Sequence, residues 1–254
     1  MPIQAIEPKR LYRQIADQLR EMIRSGEYVV GTRLPAERDL ATQLGVSRPS
    51  VREAVIALEV EGLVEVRTGS GIHVLAREPA ASARELAPNA FGPFEIIRAR
   101  QLVEGELAAL AAQRMGREQV AGLREALAVF AEDMARGEVP VRGDRLFHLR
   151  IAEGADNGPL IRVVTDLFDE RNNALFEQLG QHFEHHDSWC LALAEHQAVV
   201  EAIASGDAGA AREAMRAHLQ HSHDRFAEGW PLSRKLQTDA SRSATTSAVS
   251  TLAL

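Results

Sequence analysis

Residues 35–62, PAERDLATQLGVSRPSVREAVIALEVEG, decide the fold of the front of this chain. Pro35 opens a short helical segment that ends at Gly45. Ser47 is a good N-cap for the next segment, which ends at Gly62. Because only the tight turn 44–47 separates the two segments, the sequence predicts a helix-turn-helix.

The flanking residues extend this motif into a winged helix. Residues 10–25 have apolar side chains at helical spacing, and a glycine follows at position 26. Residues 63–66 and 72–75 have the composition of short strands, and residues 67–71 supply their turn. We therefore predict a winged helix-turn-helix domain over residues 1–75.

The rest of the chain has a helical pattern. Residues 76–92 hold Pro and small residues, which predicts a linker, and residues 93–232 predict a second, all-helical domain. The expected helices are 93–115, 118–136, 141–154, 159–180, 188–205 and 208–228. The fold class is therefore mainly α, with an antiparallel bundle at the back. The Ser-, Thr- and Ala-rich residues 233–254 predict a disordered tail.

Composition limits the classes of protein that this chain could be. Its 254 residues are 45% hydrophobic and 26% charged, which is typical of a globular protein. No apolar run approaches the ~20 residues that a membrane helix needs, and MPIQAIEPKR lacks the apolar core of a signal peptide. A single cysteine, Cys190, excludes an internal disulfide. We expect a cytoplasmic protein without a membrane partner.

Charge is distributed unevenly along the chain. Residues 1–76 carry 10 basic and 10 acidic side chains, whereas residues 77–254 carry 19 and 26, which accounts for the net charge of −7. This balance is not that of a general nucleic-acid coat. A neutral front and an acidic back indicate two functional units.

The second helix of the motif offers side chains that suit DNA. In a helix-turn-helix, its N-terminal part enters the major groove. Arg48 and Arg52 lie four residues apart and hence on one helix face, and arginine suits bidentate contact with guanine. We expect both on an exposed face, with Arg38 placed to reach a phosphate or a base edge.

Smaller contributions are expected from the turn and the wing. Ser47 and Ser50 could donate to phosphates, and Gly69 and Gly71 would let the wing backbone approach DNA closely. The alternatives are that these arginines are merely solvated, or that the winged helix is a protein-interaction module. Double-stranded DNA is the partner that the whole arrangement favours.

Blocks of residues in this region match a known family. They are Leu34-Pro35-Ala36-Glu37-Arg38, Leu40-Ala41, Gly45-Val46-Ser47-Arg48, Val51-Arg52-Glu53-Ala54, Leu58 and Glu61-Gly62-Leu63. Residues 11–75 thereby resemble the DNA-binding domain of GntR-type bacterial transcription regulators. The resemblance implies that Arg38, Arg48, Arg52 and Gly69 contact DNA.

Four residues of the helical part could bind a metal. Asp144 and His148 are four apart on one helix, while His196 and His218 lie on later helices. One carboxylate and three imidazoles suit a divalent cation such as Zn²⁺, Ni²⁺ or Mn²⁺. The alternatives are a helix-start charge for Asp144, a core histidine at position 148 and solvated polar faces for the other two.

An effector could bind beside such a metal. A small carboxylate could fill open coordination positions and pair with Arg100, whose alternative partner is Glu104, four residues on. Asn157 and Arg171 are further candidate effector-binding residues. Asn157 could instead be a turn or N-cap residue, and Arg171 could face solvent.

A second group of blocks points to one branch of the same family. They are Arg100-x₃-Glu104, Leu110-Ala111-Ala112, Asp144-x₃-His148, Asn157 with Leu160, Glu195-His196 and Ala211-x₃-Met215-x₂-His218. Residues 93–228 resemble the helical ligand-binding domain of FadR-like regulators. This implies metal binding by Asp144, His148, His196 and His218. Residues 92–100 resemble regulators of sugar-acid catabolism, which implies a hexuronate or aldonate effector.

The sequence as a whole predicts a ligand-responsive transcription regulator. We expect a homodimeric repressor on a palindromic operator, since dimer symmetry imposes operator symmetry. Its alternative is a metal-dependent hydrolase that uses the Asp/His cluster. The chain has no phosphate loop and no nucleophile motif, so we expect that it is not an enzyme.

Overall fold

The computed structural model describes residues 9–79, 86 and 90–227. The predicted tail at 233–254 and most of residues 80–89 in the predicted linker lie outside the described residues. None of the helices in the described ranges is long and apolar enough to cross a membrane.

The front of the chain is a winged helix, as predicted. Its elements are α1 (Leu11–Ser25), α2 (Glu37–Leu44), α3 (Arg48–Val60), β1 (Val64–Arg67) and β2 (Gly71–Val74). Gly45 ends α2 in the left-handed region at φ 66°, which a glycine adopts without strain. The Ser47 hydroxyl accepts the Ser50 N–H at the start of α3, so the predicted N-cap is present.

The two strands form an antiparallel hairpin that is the wing. Val64 pairs with Val74 and Arg67 with Gly71, so the turn lies at residues 68–70. Arg33 forms an isolated bridge to His73 and adds to this small sheet. Gly71 has φ 97°, and a Cβ there would overlap the Arg33 guanidinium, so a side chain at this position would disrupt the wing.

The back of the chain is an all-helical bundle. Its helices are α4 (Pro93–Arg114), α5 (Arg117–Ala135), α6 (Val141–Gly154), α7 (Gly158–Asp169), α8 (Ala174–Phe183), α9 (His186–Ala204) and α10 (Ala208–Ala227). The fold class is confirmed as mainly α. The prediction of one helix over 159–180 is wrong, because residues 170–173 form a turn between α7 and α8. Asn173 caps α8 by accepting the N–H groups of Leu175 and Phe176.

One apolar core extends across both parts of the chain. It contains side chains of α1, α2, α3 and the wing together with Phe94, Leu175, Phe183 and Phe226 of the bundle. Two further apolar clusters fill the bundle itself. Since the first core is shared, the predicted domain limits 1–75 and 93–232 stay predictions.

Candidate metal centre and DNA-reading face

Three helices bring the predicted metal ligands together. Asp144 and His148 lie on α6, His196 on α9 and His218 on α10, and one ligand atom from each lies within 4.8 Å of the others. Asp144 Oδ1 is 3.5 Å from both His148 Nε2 and His196 Nε2. His196 Nε2 is 3.1 Å from His218 Nε2. The structure thus gathers one carboxylate and three imidazoles around one point.

Two glutamates orient the histidines of this cluster. Glu104 pairs with His148 Nδ1, and Glu195 Oε2 lies 2.8 Å from His218 Nδ1. Carboxylates that hold the outer nitrogen of an imidazole fix its ring and direct the other nitrogen to a metal. From the sequence, Glu104 is only the alternative partner of Arg100, and neither glutamate is predicted to have this role.

Burial and charge shift the pKa values in the cluster. Burial, followed by the neighbouring His218, holds the pKa of His196 well below its ordinary value. Burial also lowers the pKa of His218 against the effect of Glu195. For Asp144, burial acts to raise the pKa, but Arg171 and His148 overcome it and keep the pKa well below the usual range. Neutral imidazoles and an ionised carboxylate are the forms that bind cations. Burial acts to lower the pKa of His148 as well, but Glu104 overcomes it and raises that pKa, so a cation competes with a proton there.

The residues present fit a divalent cation. His148 Nε2 is buried and has no hydrogen-bond partner within the described part of the chain, and its 3.5 Å distance to Asp144 is too long for a good hydrogen bond. A cation bound by this nitrogen would satisfy it. Three imidazole nitrogens and one carboxylate oxygen suit Zn²⁺, Ni²⁺ or Mn²⁺.

A cavity opens beside the cluster. Asp144 and His218 contribute to its wall, together with Arg100, Arg171 and Trp189. The Trp189 Nε1–H is buried and has no hydrogen-bond partner among the residues that the structure describes. An acceptor on a ligand in the cavity could take this N–H, which sequence analysis did not single out.

Arg100 and Arg171 both line this cavity. Arg100 Nε donates to Glu104 Oε1 at 2.6 Å, which is the alternative pairing that the spacing allowed. Its Nη2 is nevertheless buried and has no hydrogen-bond partner within residues 90–227. Arg171 Nη1 donates to Asp144 Oδ2 at 2.7 Å and thereby connects the cavity to the metal cluster.

Asn157 is not placed at the cavity. It is exposed at the start of α7, where its side chain accepts the Leu160 N–H at 3.3 Å. The N-cap alternative therefore describes the contact that Asn157 makes here, and effector binding by Asn157 stays a prediction. Asparagine is among the residues preferred at this helical position.

Several of the predicted DNA-contacting residues lie on one exposed region. Arg38 on α2 has a side chain that is 83% exposed. Ser47, Arg48 and Gly69 are also exposed, and Ser50 is half-buried with its hydroxyl 2.9 Å from that of Ser47. These positions leave α2, the first turn of α3 and the wing open to a duplex.

Arg52 does not share this exposure. Its side chain is only 1% exposed, and its Nε and Nη2 donate to the two Glu37 oxygens at 2.9 and 2.5 Å. Its Nη1 donates to the backbone carbonyl of Phe226 on α10. The prediction that Arg48 and Arg52 occupy one exposed face is therefore wrong. Helical spacing places two residues on one side of α3, but it does not show that the bundle covers Arg52.

Comparisons with known proteins agree with this architecture. Residues 11–74 match the family described as "Bacterial regulatory proteins, gntR family", and residues 95–221 match the FCD domain. The chain is 38% identical over 225 residues to the Exu regulon transcriptional regulator of Escherichia coli (strain K12), covering 85% of this chain and 84% of that protein. It is 36% identical over 235 residues to the Uxu operon transcriptional regulator of the same organism, covering 88% and 90%. The solved structure of E. coli McbR/YncC covers 85% of this chain and 97% of its own, at 21% identity and a TM-score of 0.48.

These matches decide between the two classes of function. Both matched regions and both regulators above belong to transcription control rather than to an enzyme. The metal-dependent hydrolase is therefore not favoured.

Proposed function

Since this chain is a transcription regulator that belongs to the gntR family of bacterial regulatory proteins, we propose that it is a cytoplasmic repressor controlled by a small carboxylate. It binds a palindromic operator as a homodimer, because two copies of one reading surface require two related half-sites. The carboxylate binds in the cavity beside the Asp144/His148/His196/His218 cluster and releases the operator.

The observation that carries this proposal is the pair of unpartnered donors beside the metal cluster. Arg100 Nη2 and Trp189 Nε1 are both buried and lack hydrogen-bond partners in the described ranges. Leaving a buried donor unsatisfied costs about 1–3 kcal/mol, so a ligand with acceptor oxygens gains by binding there. A carboxylate suits Arg100, and a hydroxyl or carbonyl oxygen suits Trp189.

The metal cluster adds a second requirement on the effector, which is oxygen atoms that can bind a cation. Asp144, His148, His196 and His218 would hold a divalent cation, which when bound supplies a Lewis-acidic centre for ligand oxygens. Arg171 forms an ion pair with Asp144 and keeps its carboxylate ionised. A hexuronate or aldonate carries both a carboxylate and several hydroxyl groups, and we propose this class as the effector.

The DNA-reading half rests on the exposed region of the winged helix. Arg48 at the start of α3 and Arg38 on α2 are the proposed contacts to bases and phosphates. Ser47 and Ser50 would donate to phosphates, and Gly69 would let the wing backbone approach the DNA. Phosphate contacts release counterions, so operator affinity should fall steeply as salt rises.

A ligand screen with metal analysis tests the effector half. The thermal unfolding temperature of the purified full chain is measured with D-glucuronate, D-galacturonate, D-gluconate and uncharged D-glucose, before and after treatment with EDTA. We expect at least one carboxylate to raise it and EDTA to remove that effect, while glucose has none. If no carboxylate and no chelator changes the unfolding temperature, the effector proposal is wrong.

Substitution of one ligand residue makes the test specific. His148→Ala should reduce bound metal and the response to the carboxylate, while operator affinity without effector stays within about threefold of wild type, because His148 contacts Glu104 and Asp144 rather than the winged helix. His186→Ala, at an exposed histidine that begins α9, is the matched control and should change none of the three. Equal loss of metal, ligand response and operator affinity in His148→Ala would show that the residue only maintains the fold.

A further inference from the structure

The DNA-reading helix is buried over most of its length, by the winged helix on one side and by the bundle on another. Residues 51–58 of α3 are all buried, and only its first turn is open. Side chains that read base edges must reach into the major groove. Arg52, at 1% exposure, cannot do so in the described arrangement.

Three polar contacts join α3 to the bundle, and we call them together the interdomain contact. Arg52 donates to the Phe226 carbonyl on α10. Glu53 Oε1 accepts the Phe94 N–H at 2.9 Å near the start of α4. His182 Nε2, on α8, is 2.6 Å from Glu59 Oε2. Each contact pairs a residue of the reading helix with a different helix of the bundle.

The same aromatic side chains form this contact and the wall of the effector cavity. The Arg52 guanidinium lies 5.2 Å from the centre of the Phe183 ring, and Phe183 packs against Phe226 with ring centroids 6.1 Å apart. Both phenylalanines line the cavity beside the metal cluster. The cavity wall and the contact to Arg52 therefore share Phe183 and Phe226.

A second connection runs along α10. Glu195 contacts His218, one of the proposed metal ligands, and also accepts hydrogen bonds from Arg225 at 2.7 and 3.2 Å. Arg225 precedes Phe226, whose carbonyl accepts from Arg52. His218 and the acceptor of Arg52 therefore lie on the same helix, α10, and both are connected to Glu195.

From these observations we propose that the interdomain contact is autoinhibitory: it withholds Arg52 from DNA, and a ligand in the cavity stabilises it. Operator binding requires the contact to open so that Arg52 joins Arg48 at the exposed face. A ligand in the cavity contacts Phe183 and Phe226 and holds them where they contact Arg52, and it thereby favours the closed state. By linkage, operator binding lowers the affinity for the ligand by the same factor by which the ligand lowers operator affinity.

The ligand part of this inference rests on the proposed function, whereas the contact itself can be tested without any effector. The operator used is a duplex selected from a random-sequence library by the wild-type full chain, and every affinity is measured at one salt concentration. His182→Ala removes one polar contact to α3 and touches neither the cavity wall nor the exposed DNA-reading face. It should raise operator affinity about fivefold, which corresponds to about 1 kcal/mol, the typical net contribution of one hydrogen bond.

Hydrogen–deuterium exchange provides a measurement that does not depend on DNA. In His182→Ala, the amides of residues 51–60 should exchange faster than in wild type, because α3 is released more often. His186→Ala serves as the control and should change neither exchange nor affinity. Unchanged exchange and unchanged affinity in His182→Ala would overturn the proposal.

Arg52→Gln tests whether the buried arginine is a DNA reader at all. We expect operator affinity to fall at least tenfold, and the double variant His182→Ala/Arg52→Gln to lose the fivefold gain. If Arg52→Gln folds and binds the operator as wild type does, Arg52 is purely structural and the proposal is wrong. If Arg52→Gln does not fold, the His182→Ala measurements decide.

The effect of a ligand on the interdomain contact is tested with D-galacturonate, D-glucuronate and D-gluconate. Phe183→Leu should weaken their effect on operator affinity, whereas Gln181→Ala, at an exposed position of the same helix that does not line the cavity, should not. If wild type itself responds to none of them, the proposed effector class is wrong, and the exchange and affinity of His182→Ala still decide on the interdomain contact.

Discussion

Glu53 is a buried acid whose ionisation opposes the packing around it. It accepts the Phe94 N–H at the start of α4, and a Cβ on Gly92 would overlap its carboxylate. Burial raises its pKa from 4.5 to about 7, with Glu95 adding to this effect, while the Phe94 N–H and Arg98 act in the opposite direction. The position therefore favours a protonated side chain.

This raised pKa predicts a pH-dependent stability. The folded protein binds a proton at Glu53 more tightly than the unfolded chain, so its stabilisation is complete below about pH 4.5 and is lost as the pH rises through about 7. The loss is on the order of 3 kcal/mol, since each pKa unit corresponds to about 1.4 kcal/mol. Glu53→Gln keeps an acceptor for the Phe94 N–H and does not titrate.

Urea unfolding at pH 5, 6, 7 and 8 measures the effect. We expect the free energy of unfolding of Glu53→Gln to fall less across this range than that of wild type. Parallel pH curves for the two proteins would show that Glu53 titrates normally in the fold.

Trp189 is proposed to bind the ligand through its Nε1–H alone, and it has no proposed role in metal or DNA binding. Trp189→Phe keeps an aromatic ring in the cavity wall and removes the unpartnered N–H. We expect calorimetric titration with the carboxylate that gives the largest thermal shift to show about tenfold weaker binding, within the range for a lost hydrogen bond. Metal content should stay unchanged, because Trp189 is not in the cluster. Undiminished affinity would remove Trp189 from the ligand site.

At the scale of elements, local sequence predicts most of the structure. Helical spacing, glycine stops and the Ser47 N-cap locate α1, α2 and α3, and the strand pattern locates the hairpin. These signals suffice because they act within one or two turns of chain. The Asp144/His148 pair is likewise local, whereas the meeting of these residues with His196 and His218 depends on helix packing. Their residue types made a shared metal site one alternative, and the family resemblance implied it.

The separation of α7 from α8 is the local feature that the spacing analysis missed. Apolar residues continue with helical spacing through 159–180, but Asn173 starts a new helix by capping Leu175 and Phe176. Two consecutive asparagines at positions 172 and 173 were the available signal, since asparagine favours N-caps and turns.

This capping role predicts a measurable loss of stability. Asn173→Ala should lower the free energy of unfolding by about 1 kcal/mol, the typical contribution of an N-cap side chain. Asn172→Ala is the matched control, because its exposed side chain does not cap α8, and it should change stability by less than about 0.5 kcal/mol. A loss of equal size in both variants would contradict the capping role.

At the scale of the whole molecule, the two parts share one core and several polar contacts. Arg10 pairs with Glu95 at 2.7 Å, and the Tyr12 hydroxyl donates to the Ala90 carbonyl at 3.0 Å, so α1 also contacts the start of the bundle. The burial of Arg52 arises partly at this scale, because Phe183 and Phe226, more than 100 positions later in the chain, cover it together with Glu37 of α2. No pattern local to α3 could have predicted it.

The central claim is that this chain reads an operator through the exposed start of α3, and Arg48→Ala tests it most directly. Operator affinity is measured by fluorescence anisotropy at one salt concentration, with Arg124→Ala as a control at an exposed arginine of the bundle. The account predicts that Arg48→Ala loses at least tenfold in affinity with its thermal unfolding unchanged, consistent with about 1–3 kcal/mol for an arginine–guanine contact, while Arg124→Ala binds as wild type. An Arg48→Ala protein that binds the operator as tightly as wild type would contradict it.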